Sequence, residues 1–170
     1  MITAQFTGSK IYSNSNEAFS LYEKSHFGEK KENRIEYSLI EALYLLQEKR
    51  IQLFQNKKQL DFDLLIKKAK KYDKRIEIKF PVFSNMRKKG YILKTALKFG
   101  ADFRVYEKGI RPGEDHALWV LFCVRESELH SWYDFAAKNR VAHAAKKKLL
   151  IGIVDDEDDV TFYEVGWLKP

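Results

Sequence analysis

Apolar and polar positions along this chain fall into short blocks separated by turn residues, and the blocks predict small packed α/β layers. Residues 2–6 read as a strand broken by Gly8. Ser13, Asn14, Ser15 and Asn16 supply N-cap oxygens ahead of a helix carrying Ala18, Phe19, Leu21 and Tyr22, with Gly28 as its expected end. A lysine- and glutamate-rich loop is expected next. Ser38 can cap a helix presenting Leu39, Ile40, Leu43 and Leu46. Residues 50–54 read as a short strand, and Asp61 or Asp63 can cap a helix through Leu64, Leu65, Ile66 and Ala69 that ends near Asp73. In residues 76–89, Phe80, Val82, Phe83 and Met86 would face a core. Pro81 puts the expected helix start at about that residue, and Gly90 closes the segment. Strands are expected at 91–93, 103–106 and 117–124. Ser131 with Asp134 caps a long helix running to about Lys147, and strands at 149–154 and 160–168 complete the chain. Strands before and after a long helix imply a mixed sheet flanked by helices. The expected fold is thus mixed α/β: a small αβ N-terminal domain over residues 1–75, then a restriction-endonuclease-like domain over residues 76–170.

Composition narrows the class. Apolar residues make up 45% of the 170 and aromatics 14%, which excludes a disordered chain. No apolar run reaches the roughly 18 residues of a membrane span. The first residues lack the basic and apolar regions of a secretory signal, so a cytoplasmic location is expected. The one cysteine, Cys123, sits in an apolar run and reads as a buried strand residue. The net charge of +7 and pI of about 9.3 favour a polyanionic partner. Lys138, Arg140, Lys146, Lys147 and Lys148 crowd one segment, and the acids Asp155, Asp156, Glu157, Asp158 and Asp159 follow it.

RNA can be cut without a metal when the ribose 2′-OH attacks the adjacent phosphate. One group must take the 2′ proton, another must protonate the leaving 5′-oxygen, and a third must stabilise charge on phosphorus. His116 follows the turn-rich Arg111-Pro112-Gly113-Glu114-Asp115 and can give a proton near neutrality, with an ordinary pKa of about 6.5. Tyr106 ends the preceding strand, and pairing through the 107–115 loop would bring it near His116; its ordinary pKa of about 10 calls for a nearby cation. Lys147 can be that cation. Taken singly, each residue reads equally as something plainer: a surface histidine, a strand aromatic and a solvated basic helix end.

The stretch Gly90-Tyr91-Ile92-Leu93-Lys94-Thr95-Ala96-Leu97-Lys98-Phe99-Gly100-Ala101-Asp102-Phe103-Arg104-Val105-Tyr106 resembles the signature of tRNA-intron endonucleases. So do Arg140-Val141-Ala142-His143 with Lys146-Lys147-Lys148-Leu149-Leu150, and the final Trp167-Leu168-Lys169-Pro170. The resemblance is strong over residues 80–170 and holds in outline before them. It implies a catalytic Tyr, His and Lys at Tyr106, His116 and Lys147, and no metal or other cofactor. It also implies cleavage of precursor tRNA at bulge–helix–bulge sites, leaving a 2′,3′-cyclic phosphate and a 5′-hydroxyl. Arg140 and Trp167 match the groups that hold a flipped bulge base, a role suited to planar side chains. The acidic block matches a loop that inserts into a basic cleft on another subunit. A homotetramer with two working sites is the implied assembly, with an α2β2 form beside a structural subunit still open and no membrane partner.

The acidic block does not fit a calcium loop, because Val160 and Gly166 stand where Gly and Glu are needed. Two competing readings remain at the level of sequence. One is a metal-dependent nuclease using Glu77-Ile78-Lys79 with Asp73 upstream. The other is a non-catalytic tRNA-binding or structural subunit.

Overall fold

The computed structural model describes all 170 residues, which divide into compact units at 1–80 and 81–170. In the first unit six strands form one sheet in the order β3-β4-β2-β1-β5-β6. They are β1 (Ile2–Thr7), β2 (Lys10–Ser13), β3 (Glu29–Lys31), β4 (Arg34–Tyr37), β5 (Ile51–Gln55) and β6 (Lys58–Leu60). β1 and β5 are parallel and the other pairs antiparallel. Burial alternates along β1, so Ile2, Ala4 and Phe6 lie on the core side with Ile11, Ile35, Ile51 and Leu53. Helices α1 (Asn16–Ser25), α2 (Leu39–Gln47) and α3 (Phe62–Ala69) bury Ala18, Leu21, Leu43, Leu45 and Leu65.

The helix starts follow the capping chemistry. The Ser15 and Asp61 side chains accept the N–H groups of Ala18 and Leu64. Ser38 and Glu41 form a reciprocal capping box, and the buried Glu41 carboxylate also accepts the Gly28 N–H at 2.9 Å.

Two expectations fail in this unit. α1 stops at Ser25, where His26 takes the left-handed conformation (φ 53°) and caps Tyr22. Gly28 serves a different need: a Cβ there would lie 2.5 Å from Ile35 Cγ2 and 2.8 Å from the Glu36 carbonyl. The expected charged loop is instead the β3–β4 hairpin. Its outer strand β3 is charged throughout and takes its identity from pairing, while β4 alternates, with Ile35 and Tyr37 buried.

The unit boundary falls inside α4 (Ile76–Lys88), which begins five residues before Pro81 and not at it. The proline removes one helical hydrogen bond and crowds the Glu77 carbonyl, at a cost of about 3 kcal/mol. The helix survives because Ile76, Phe80, Val82, Phe83 and Met86 are all buried, at roughly 1.5–3 kcal/mol for each large side chain.

The second unit holds a five-stranded mixed sheet in the order β11-β10-β9-β8-β7. Its strands are β7 (Ile92–Thr95), β8 (Phe103–Tyr106), β9 (Trp119–Arg125), β10 (Lys148–Val154) and β11 (Val160–Val165). β9 and β10 run parallel and the other neighbours antiparallel. α4 covers one face, with Phe83 against Phe103 and Val82 over Gly152, where a Cβ would meet Val82 Cγ1 at 3.0 Å. α5 (Trp132–Ala144) covers the other through Ala142, over Val120, Phe122 and Leu149. Cys123 is buried in β9.

Ser131 and Asp134 cap α5 as a second box. The helix ends at Ala144, so Lys147 is not on it. Lys146 turns left-handed (φ 54°) and Lys147 stands in the bend before β10. A run of alanines and lysines would extend a helix on propensity alone, but the chain must reverse here for Lys148 to pair beside Trp119.

Candidate active site

Topology brings three separated segments to one edge of the second sheet. β8 is antiparallel to β9 and β9 is parallel to β10, so the end of β8 lies beside the starts of both. Tyr106 is the last residue of β8, His116 and Ala117 lead into β9, and Lys147 leads into β10. All four line one open pocket of about 400 Å³, together with Lys98, Phe99, Arg104, Gly113, Glu114 and Asp115.

Each side chain is fixed differently. Tyr106 is 4% exposed, held as a strand residue of alternating parity: Phe103 and Val105 point to the α4 side, Arg104 and Tyr106 to the opposite one. His116 is exposed and carried by a turn closed on itself, in which the Glu114 and Asp115 N–H groups donate to the Arg111 carbonyl. Asp115 Oδ1 accepts the His116 backbone N–H at 2.6 Å, leaving the imidazole to the pocket. The Lys147 amine donates to the Ala117 carbonyl at 2.9 Å, which ties the start of β10 to that of β9. Burial, and then the charges of Arg104 and Lys98, hold that amine below the usual lysine range.

Arg104 and Lys98 were not singled out by the sequence reading. Arg104 had a signal, since i and i+2 on a strand share a face with Tyr106. Lys98 had none, because the 3₁₀ turn Leu97–Phe99 brings it to the pocket through the fold.

Arg140 and Trp167 lie outside the pocket lining. Arg140 is exposed on α5, its guanidinium 5.9 Å from the Tyr133 ring. Trp167 is 57% exposed and rests edge-on against His143, ring centroids 4.1 Å apart, one turn along α5 from Arg140. Neither is a core residue.

The acidic residues form the β10–β11 turn. Asp155 Oδ1 accepts the N–H groups of Glu157 and Asp159, and Arg125 donates to the Asp155 carbonyl and to Asp158 Oδ1. Asp156, Glu157 and Asp159 make no side-chain hydrogen bond or ion pair and face solvent.

The Glu77-Ile78-Lys79 alternative loses its geometry. The triplet lies in α4, where residues two apart point to different sides. Glu77 pairs with Lys70 and Lys79 with Asp73 at 2.7 Å, so the three groups do not converge on one ion.

Comparison with known proteins agrees in kind along the chain. The family model described as the tRNA intron endonuclease catalytic C-terminal domain matches residues 76–162, and that of the N-terminal domain matches residues 2–66. The chain is 46% identical over 141 residues to a tRNA-splicing endonuclease of Nanoarchaeum equitans, covering 79% of this chain and 90% of that protein. It is 38% identical over 170 residues to one of Pyrococcus abyssi, covering 99% of this chain and 98% of that protein. A Methanothermobacter thermautotrophicus relative with the same description is 37% identical over 153 residues, with 88% and 87% covered. No helix of the chain is long and apolar enough to cross a membrane.

Proposed function

The chain belongs to the tRNA intron endonuclease family and is an RNA-cleaving tRNA-splicing endonuclease; from that premise we propose that it cuts precursor tRNA at bulge–helix–bulge boundaries using Tyr106, His116 and Lys147. The observation that carries this reading is the meeting of those three side chains, from three separate segments, in one pocket.

The reaction balances without an added reactant. Tyr106, as a phenolate whose own proton has gone to solvent, takes the 2′-OH proton, and the 2′-oxygen bonds to phosphorus. The bond from phosphorus to the 5′-oxygen breaks, and His116 gives that oxygen a proton. The products are a 2′,3′-cyclic phosphate and a 5′-hydroxyl. Lys147 offers its positive charge to the crowded phosphate, where charge builds in the transition state, and to the tyrosine as it loses its proton. Arg140 and Trp167 flank a bulged base on the outer side of α5. The working assembly is a homotetramer, in which the acidic turn of one subunit docks into a basic cleft of another. A mass measurement on the lone chain that finds a species smaller than a tetramer would favour an α2β2 arrangement with a structural subunit.

The test is cleavage of a prefolded bulge–helix–bulge RNA in excess chelator, followed by end-group analysis. The expected result is undiminished cutting with cyclic-phosphate ends. Loss of cutting that only a divalent ion restores would overturn the metal-free mechanism.

A further inference from the structure

Lys98, Arg104 and Lys147 all line the pocket, and none forms an ion pair. Glu114 and Asp115 also line the pocket, but neither pairs with these three cations: Asp115 accepts the His116 backbone N–H, and Glu114 lies 4.0 Å from Arg111. Arg104 is half-buried with its guanidinium carbon 6.0 Å from the Tyr106 ring centroid. Its Nε is enclosed and has no hydrogen-bond partner. An enclosed donor without a partner is unfavourable, and so is the mutual repulsion of three cations. The repulsion is relieved when anionic oxygen enters the pocket beside them. A scissile phosphodiester brings one negative charge, which Lys147 alone can match. Two cations are then left over, one of them a planar fork suited to two phosphate oxygens and the other a flexible amine at the pocket rim.

We infer that Arg104 and Lys98 form a second phosphate subsite, which holds the RNA backbone phosphate next to the scissile one. This rests on the assignment of Tyr106, His116 and Lys147 as the reacting groups. The subsite reads backbone charge and not base identity, so it anchors the strand for any sequence that presents the cleavage geometry. Arg104 is a positioning residue here, since it touches a phosphate that does not react.

The test uses the whole enzyme and prefolded RNA in which each phosphate flanking the cut is replaced, one at a time, by a neutral methylphosphonate on a 2′-deoxy sugar. The parent enzyme should lose about tenfold to a hundredfold in affinity on one of the two RNAs. Arg104→Gln should bind unmodified RNA weaker by a similar factor and lose nothing more on that neutral RNA. Its salt dependence of binding should flatten by about 0.7 in log–log slope. Lys98→Gln, on an exposed turn, repeats the measurement with no load on the core and should show the smaller form of the same behaviour. Additive losses from variant and neutral linkage would overturn the subsite. So would an Arg104→Gln enzyme whose single-turnover rate falls equally on all RNAs while affinity holds, which would move Arg104 to the reacting phosphate. Tyr106→Phe and His116→Ala on unmodified RNA separate the two readings. If they cut at the parental rate, the catalytic assignment falls; if they fail to cut while Arg104 shows additivity, the subsite alone falls.

Discussion

His116 and Arg140 should fail in different ways when removed. His116→Ala deletes the proposed proton donor and should cost about 10²–10⁴-fold in single-turnover rate while precursor affinity stays near the parental value. Arg140→Ala deletes a stacking surface worth roughly 1–3 kcal/mol per base, so affinity and rate should fall together. A His116→Ala enzyme that loses affinity in step with rate would make His116 a binding residue. Lys147 carries a pH signature. Because its folded pKa lies below the ordinary 10.5, the folded state releases this proton first as pH rises. Between the two values the unfolded chain holds more protons, so stability contributed by this group increases with pH; the charged amine opposes folding below that window. Activity that needs the cation should therefore decline on the alkaline side below pH 10.5. Lys147→Arg, slower but permanently charged, should lack that decline. A limb common to both enzymes belongs to other groups; a Lys147→Arg enzyme that loses no part of the parental alkaline decline would sink the assignment. Of these residues, His116 and Tyr106 were legible as chemistry with a plausible meeting point. Arg104 is only half legible: its place two residues before Tyr106 gives its face, but an arginine in an apolar strand looks like a solvent-side residue until the neighbouring segments enclose it.

Elements whose ends are written in local chemistry were readable, and those set by distant pairing were not. Ser38, Asp61 and Ser131 begin helices because a hydroxyl or carboxylate three residues upstream satisfies a free N–H, a rule needing no knowledge of the rest of the chain. β2 and β4 are too short to read, with Ile11 alone in one and Ile35 and Tyr37 in the other facing the core, and β3 and β6 take their identity from their partners. The end of α5 was misplaced for the same reason: composition favours more helix, and the pairing of β10 with β9 stops it. Glu41 shows how far a local cap can reach. It closes α2 and also satisfies Gly28 from another segment, so Glu41→Ala should strand several N–H groups in a buried place. The expected loss is about 1–3 kcal/mol in denaturant unfolding, with Glu41→Gln recovering part of it. Equal stability of the alanine variant and the parent would reduce the box to ornament.

At the scale of the molecule, the net charge of +7 coexists with an acidic turn whose five residues do unequal work. Asp155 and Asp158 hold the turn's shape through backbone N–H groups and Arg125. Asp156, Glu157 and Asp159 remain free for a partner. Replacing those three by Asn, Gln and Asn should leave the subunit's secondary structure unchanged by circular dichroism and lower the mass seen by light scattering, because the docking charges are lost while the bonds of Asp155 and Asp158 that shape the turn remain. An unchanged mass would return the turn to plain solvation. The loop that carries His116 has a different bearing. Its inner part, from Arg111 to Asp115, closes on itself and hangs the imidazole from the start of β9, while its outer bend is closed separately by Ile110 and Glu107 around an unencumbered Gly109. The outer bend can therefore lengthen or shorten over evolutionary time without opening the turn that presents His116. Insertion or deletion there would reshape the surface beside the pocket while the Arg111–Asp115 turn keeps its own hydrogen bonds.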